Sequence, residues 1–192
     1  MSDQGIKSRP VYAPIARDAS GRAHLLVADD AALSDTAFAD GTMPEDFVER
    51  WTIAGNSTAI PSPHGETVHA FRSASHLMIS LKRRLAEEHM GFRLYAIGTE
   101  PFLWDVAGAA QAAGMGRAEY RLFATGSAAR RLFCVHCRTI TEHVTGNLVA
   151  CSGCGAQLFV RDHFSRRMNA FMGFQIDAEA PGESVPYEEL YR

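Results

Sequence analysis

Four cysteines stand in two closely spaced pairs in the last third of the chain, Cys134 with Cys137 and Cys151 with Cys154. Two residues separate the members of each pair, and thirteen residues separate the two pairs. A two-residue gap lets both thiolates of a pair face one ion, and four thiolates satisfy the tetrahedral coordination of zinc. The spacing therefore predicts one zinc ion bound by all four cysteines.

The segment between the pairs has the length of a β-hairpin, with residues 139–144 and 148–150 as strands and residues 145–147 as the turn. Gly153 and Gly155 allow the tight backbone of a metal-binding knuckle. This layout is typical of a zinc ribbon, which we place at residues 131–161. Because four thiolates leave no open coordination position, we expect a structural metal and no catalysis at it.

Three other interpretations of the cysteines remain. Two disulfides are disfavoured by a reducing compartment, and four free thiols are disfavoured by the paired spacing. Iron held by the same thiolates would make a rubredoxin-like electron carrier. Rubredoxin-like sites usually have a longer gap between the pairs, so the spacing favours zinc.

No catalytic constellation accompanies the cysteines, since the chain has no G-x-S-x-G, H-E-x-x-H or Walker motif. We therefore predict no catalytic residue in this chain. Histidines that could serve as axial haem ligands are His24, His64, His69, His76 and His89. Those near the cysteines, expected to lie on the surface or beside the ligands without binding the ion, are His136, His143 and His163.

The composition excludes several classes of protein. The chain has 192 residues, 46% hydrophobic and 21% charged, with a net charge of -3. A nucleic-acid-binding zinc-ribbon adaptor should show a basic excess, so we expect no nucleic-acid partner. No apolar run approaches the roughly 20 residues of a membrane span, and the first residues lack the apolar core of a signal peptide. We expect a cytoplasmic protein with no membrane partner.

The elements that position the cysteines begin with an α/β region. Residues 75–89 show helical spacing of leucines, residues 92–97 read as a strand buried on both faces, a helix follows Thr99, and residues 119–124 read as a strand. This order predicts a small parallel sheet with right-handed crossovers. The fold class is thus α/β: an arm (1–22), a parallel-sheet domain (23–126), the zinc ribbon (131–161), and a C-terminal helix with an extended tail (162–192).

One segment, residues 94–124, resembles the end of the NAD-binding domain in ferredoxin-reductase-type flavoenzymes. The residues that carry the resemblance are Gly98, Glu100, Pro101, Phe102, Val106 and Gly114. The family's cysteine near the hydride-transfer site is replaced here by Ile97. A Gly-rich phosphate loop is also missing, because Asp29 and Asp30 follow the first strand and would repel a pyrophosphate. The resemblance implies a reductase-like fold, and we expect no tight nicotinamide binding.

The whole chain resembles the small subunit of bacterial dimethylamine monooxygenase, the DmmA family. The runs LFCVHCRTITE at 132–142, CSGCGAQLFVRDHFSRR at 151–167 and FMGFQIDAEAPGE at 171–183 carry this resemblance. It implies an accessory subunit of a haem-dependent, NAD(P)H-driven complex that converts dimethylamine into methylamine and formaldehyde. It also implies a catalytic haem subunit and a reductase subunit with FMN and an iron–sulfur cluster as partners. This chain would be part of the enzyme without being catalytic alone.

A docking surface for these partners is predicted at the C-terminus. Residues 162–174 read as a helix, and Phe164, Met168, Phe171 and Met172 would share one face of it. Aromatic, Met and Arg residues are enriched in interface cores, so we expect this face and the acidic tail to dock on a partner subunit. The alternative is a helix packed on the chain's own core with a solvated tail.

Overall fold

A computed structural model describes residues 8–30, 37, 49–54, 67–178, 182 and 184–192. The chain divides into two compact units. One unit comprises residues 12–126, and the other combines residues 1–11 with residues 127–192. The second unit, which contains the cysteines, is called the ribbon unit below, and the first is called the α/β unit.

The α/β unit contains a five-stranded parallel sheet. Its elements are β1 (Ala23–Ala28), β2 (Glu49–Ile53), β3 (Thr67–Phe71), α1 (Ala74–Glu87), β4 (Phe92–Gly98), α2 (Glu100–Ala112) and β5 (Tyr120–Ala124). The strand order is β3-β2-β1-β4-β5, and all four pairings are parallel. The predicted parallel α/β fold is therefore confirmed.

The two central strands explain why this sheet forms. The side chains of β1 from Leu25 to Ala28 and of β4 from Leu94 to Ile97 are almost completely buried. Strands covered on both faces need such continuous apolar runs. Helix α1 contributes Leu77, Leu81 and Leu85 to the core, one apolar side chain for each turn of the helix.

Residues 12–22 of the predicted arm belong to this unit, whereas the described residues 8–11 belong to the ribbon unit. Ile15 is 2% exposed and lies in the core with Ala28 and Ile97. The carboxylate of Asp18 accepts hydrogen bonds from the Ser20 hydroxyl and from Arg93 Nε, each at 2.6 Å. These bonds hold the pKa of Asp18 well below its usual range.

The ribbon unit is a second five-stranded sheet, with β6 (Arg130–Cys134), β7 (Ile140–Val144), β8 (Leu148–Ala150), β9 (Gln157–Ser165) and β10 (Ala170–Gln175). The strand order is β7-β6-β10-β9-β8. Only the β6–β10 pair is parallel. Strands β7 and β8 exist as predicted, but they pair with β6 and β9 and not with each other, so the predicted hairpin is wrong.

The predicted C-terminal helix over residues 162–174 is also wrong, because these residues belong to β9, β10 and the turn between them. Asn169 adopts a left-handed backbone with φ of 51° at this turn. Phe164 and Phe171 are opposite each other in the antiparallel pair and are 5% and 2% exposed. They form part of the unit's own core, so they cannot form the predicted docking face.

The C-terminal tail lies against the β7–β8 turn of the same unit. The backbone N–H groups of Leu190 and Tyr191 both donate to the carbonyl of Thr145. Asn147 is 6% exposed; its Nδ2 donates to the Pro186 carbonyl at 2.9 Å, and its Oδ1 accepts from Glu188 N–H at 2.8 Å. The described tail residues are therefore held by their own chain.

A buried arginine fixes the end of the tail. Arg130 is 3% exposed, and its guanidinium lies 3.9 Å from the Phe171 ring centroid and 3.7 Å from that of Tyr191. Its Nη2 is 2.8 Å from a carboxylate oxygen of Asp162. Arg130 thus contacts β10 through Phe171 and β9 through Asp162, and it holds the tail through the ring of Tyr191.

Candidate metal centre

Cys134 is the last residue of β6 and Cys137 lies in the turn after it, whereas Cys151 and Cys154 lie between β8 and β9, and the fold brings the two pairs together. The sulfurs of Cys134, Cys137, Cys151 and Cys154 all lie within 4.8 Å of one another. Cys134 Sγ is 4.0 Å from Cys154 Sγ, and Cys137 Sγ is 3.5 Å from Cys151 Sγ. The four predicted ligands thus converge on one point.

Both pairs are held by the same backbone arrangement. The carbonyl of Cys134 accepts from Arg138 N–H and its N–H donates to the Thr139 carbonyl. The carbonyl of Cys151 likewise accepts from Gly155 N–H, and its N–H donates to the Ala156 carbonyl. Arg138 and Gly155 occupy equivalent positions, and both have left-handed backbones with φ of 65° and 72°. Two equivalent turns therefore present two sulfurs each.

The spacing of the sulfurs fits a tetrahedral metal. Metal–sulfur bonds of about 2.3 Å place the sulfurs of a tetrahedral site roughly 3.8 Å apart, between the two distances given above. A disulfide needs a sulfur–sulfur bond of about 2.05 Å, and the cysteines are free thiols. The donor set and its geometry can hold a metal ion. The same tetrahedron suits zinc and iron, so the geometry alone does not choose between them.

Thr139 supports the site, a role that the reasoning from the sequence missed. Hydrogen bonding from Thr139, through its side chain and then its backbone, lowers the pKa of Cys137 to about 6. Thr139 also lies so close to Gly153 that a Cβ there would collide with its side chain. One residue of the first turn therefore stabilises a thiolate and packs on the second turn. A threonine two residues after a cysteine is the only signal that the sequence offers.

The histidines do not join this centre. Among the described residues, the cluster of possible metal ligands consists of the four cysteines. His136, His143 and His163 are exposed. Of the histidines considered for haem, His24 is buried beside the Tyr95 hydroxyl, His69, His76 and His89 are exposed, and His64 lies outside the described residues.

A second place for a ligand is the carboxyl edge of the parallel sheet between β1 and β4, where the strand order reverses. Here a carboxylate oxygen of Asp29 accepts from the backbone N–H and the hydroxyl of Thr99, each at 2.7 Å. Thr99 is the N-cap of α2. The carboxylate thus takes the position at the helix N-terminus that a phosphate would take.

Two further contacts complete this edge. Gly98 lies so close to Asp29 that a Cβ at Gly98 would collide with the carboxylate. Tyr12 accepts from Trp104 Nε1 at 2.9 Å and donates to Glu100 at 2.8 Å. Burial, and then the nearby Glu100 carboxylate, hold the pKa of Tyr12 well above its usual range, so the phenol stays protonated. The described residues of the edge bond to one another, and none of these contacts resembles a phosphate-binding loop.

None of the described helices is both long and apolar enough to span a bilayer.

Comparison with known proteins assigns both parts of the chain to one type of subunit. Residues 4–120 match the N-terminal domain of the dimethylamine monooxygenase subunit DmmA-like family, and residues 131–174 match the C-terminal domain of that family. A relative in Ectopseudomonas mendocina (strain ymp), the heme-dependent oxidative N-demethylase delta subunit, is 35% identical over 115 residues. The alignment covers 60% of this chain and 66% of the relative, just under two thirds of its length. No solved structure matches the chain significantly.

Proposed function

From the premise that this chain belongs to the DmmA-like family, we propose that it is an accessory subunit of a haem-dependent oxidative N-demethylase. The observation that carries the proposal is the match of family domains to residues 4–120 and 131–174. The relative named as a delta subunit of such an enzyme supports it. We propose dimethylamine as the substrate of the complex and methylamine and formaldehyde as its products.

The chemistry would take place on partner subunits. A haem subunit would oxidise the amine, and a reductase subunit with FMN and an iron–sulfur cluster would pass it electrons from NAD(P)H. The use of NAD(P)H and the four free thiols favour a cytoplasmic location. The α/β unit would contribute shape and contact surface, because its carboxyl edge is closed by the bonds of Asp29.

For the metal centre we propose structural zinc bound by Cys134, Cys137, Cys151 and Cys154. Four thiolates complete the tetrahedron and leave no position for water or substrate. The ion would link the turn after β6 to the turn after β8 and so fix two places in the ribbon sheet. Such a site contributes on the order of 10 kcal/mol to folding.

A rubredoxin-like electron carrier is the second candidate function. It is favoured by the position of the centre near the surface, where Cys154 is exposed and would allow an electron to leave. Elemental analysis of the purified chain separates the two. One equivalent of zinc in a colourless protein supports the structural site, whereas iron with visible thiolate-to-metal absorption supports the electron carrier.

The role as a subunit is tested by reconstitution. The proposed haem and reductase subunits are purified from the same organism with and without this chain, and formaldehyde release from dimethylamine is measured with NADPH. We expect a stable complex that contains this chain and a higher rate when it is present. If the chain neither associates with these subunits nor changes the rate, the proposed function is wrong.

A further inference from the structure

The outer face of the ribbon sheet carries an apolar patch on its three inner strands. This outer patch consists of Phe133, Phe159, Met172 and Phe174 on the strands, together with Val135 in the turn that follows β6. Val135 is 38% exposed and Phe174 is 41% exposed, and the other three are half-buried. Large apolar side chains gathered on one exposed face mark interaction sites more often than isolated ones do.

The strand register shows that the patch is continuous. Phe133 of β6 is paired with Met172 of β10, and Phe174 of β10 is paired with Phe159 of β9. Met172 and Phe174 are two residues apart on one strand and so point to the same face. The alternate residues on these strands, among them Leu132, Phe171 and Leu158, are buried on the opposite face. The outer patch is therefore one surface across three strands.

A cation lies over the aromatic part of the patch. Arg161 is exposed, and its guanidinium carbon is 5.6 Å from the Phe159 ring centroid and 5.7 Å from that of Phe174. Arg131, on the same face, forms an ion pair with Glu142 at 2.8 Å. No carboxylate among the residues that the structure describes forms an ion pair with Arg161. Charge complementarity thus calls for an occupant that brings a carboxylate to this position.

The chain's own C-terminal tail is not that occupant. Tyr191 of the tail stacks on Arg130, which also contacts Phe171 on the opposite face of the sheet. The tail is further held at the β7–β8 turn by Asn147. Its described residues are therefore bound elsewhere in the ribbon unit.

We propose that the outer patch is the surface through which the ribbon unit docks on another subunit of the oxygenase, by way of a segment that presents apolar side chains beside an aspartate or glutamate. The inference rests on the proposed function, which requires a partner. Phenylalanine, methionine and arginine are the residue types that interface cores favour. The guanidinium is held over two rings before binding, so little of its freedom is lost when a carboxylate pairs with it.

The test uses the full-length chain and the purified partner subunits in a calorimetric or surface-based affinity measurement. The variants are Phe174→Ser and Arg161→Glu, and the matched control is Met90→Ser, because Met90 is 94% exposed and belongs to the α/β unit. We expect each patch variant to weaken association by more than about tenfold, as truncation of an interface anchor does, and the control to leave it unchanged.

Two measurements make the result specific. Metal content and the thermal transition should stay as in the wild type, since both substituted side chains are exposed. The affinity of the wild type should fall with added salt, and Arg161→Met should remove most of that dependence, which a merely structural arginine would not do.

The outcomes separate the two proposals. If the wild type assembles and both patch variants assemble with the same affinity, the docking surface is wrong while the proposed function stands. If the wild type does not bind these subunits, both are wrong. If the isolated chain is a dimer that Phe174→Ser dissociates, a second copy covers the patch and the assignment to a partner subunit is overturned.

Discussion

Asn147 offers a direct test of how the C-terminal tail is held. Its side chain is buried and makes two hydrogen bonds to the tail backbone, to the Pro186 carbonyl and from Glu188 N–H. The substitution Asn147→Ala removes both. Each such bond contributes about 1 kcal/mol net, so the free energy that favours the bound tail over the detached tail should fall by about 2 kcal/mol.

That loss has a measurable local consequence. A change of 1.4 kcal/mol corresponds to about tenfold in an equilibrium constant, so the open population of the tail should rise by about 30-fold. Amide hydrogen exchange reports such local opening. We expect the N–H groups of Glu188, Leu190 and Tyr191 to exchange about 30-fold faster in Asn147→Ala, whereas exchange in the central strands of the α/β unit stays the same.

The control is a second amide side chain with an exposed hydrogen bond. Gln175 is exposed and donates to Asp177 at 2.7 Å, so Gln175→Ala should cost less than about 0.5 kcal/mol and should leave tail exchange unchanged. If Asn147→Ala leaves the exchange of the three tail amides unchanged, Asn147 does not hold the tail and the reasoning fails.

The other predictions concern the buried arginine, the cap of α2 and one carboxylate. Arg130→Met should lower the free energy of unfolding by about 2 kcal/mol in urea titrations, because two ring contacts and an ion pair are lost. The control Arg131→Met should lower it by about 0.5 kcal/mol, and an equal loss in the two variants would contradict this role of Arg130. Asp29→Ala should lower the free energy of unfolding by about 1 kcal/mol, since the N–H of Thr99 loses its acceptor. Calorimetry on the wild type should find no micromolar binding of NADH. Asp18 has a lowered pKa in the folded state, so its contribution is present above the ordinary carboxyl pKa of about 3.9 and is lost as the pH falls toward the folded value. Acid titration of stability should therefore be steeper in the wild type than in Asp18→Asn, and identical profiles would refute the role of this carboxylate.

The parallel sheet was predictable because its signals are local. Strand β4 holds a continuous apolar run from Leu94 to Ile97, as a strand buried on both faces requires. Helix α1 has leucines at helical spacing and ends before Gly91. The cysteine pairs were equally clear, because two pairs with a two-residue gap, thirteen residues apart, are the typical ligand spacing of a four-cysteine metal site.

The β9–β10 hairpin could not be predicted from local signals of this kind. Phe164, Phe171 and Met172 fit a helical spacing. Residues 171–174 also fit a strand, because Phe171 and Gly173 would point to one face and Met172 and Phe174 to the other. The deciding feature is the turn at Asn169, whose left-handed backbone closes the β9–β10 hairpin. Asparagine tolerates this conformation better than most residues, and that was the missed signal.

The order of the strands in the ribbon sheet depends on contacts between distant residues. Strand β10 lies between β6 and β9, and its parallel pairing with β6 spans about 40 residues of chain, from Leu132 to Phe171. No local pattern specifies such a pairing. The position of Asp29 at the N-terminus of α2 was equally hidden, because 70 residues separate it from Thr99.

The ribbon unit also sets an order on how the protein can be made. The Ser8 hydroxyl accepts from Phe164 N–H and donates to its carbonyl, although 156 residues separate them. The α/β unit is synthesised in full between these two points, so it can fold while the ribosome is still adding residues. The ribbon sheet, by contrast, can close only after β10, its central strand, has been synthesised, so it completes its fold later than the α/β unit.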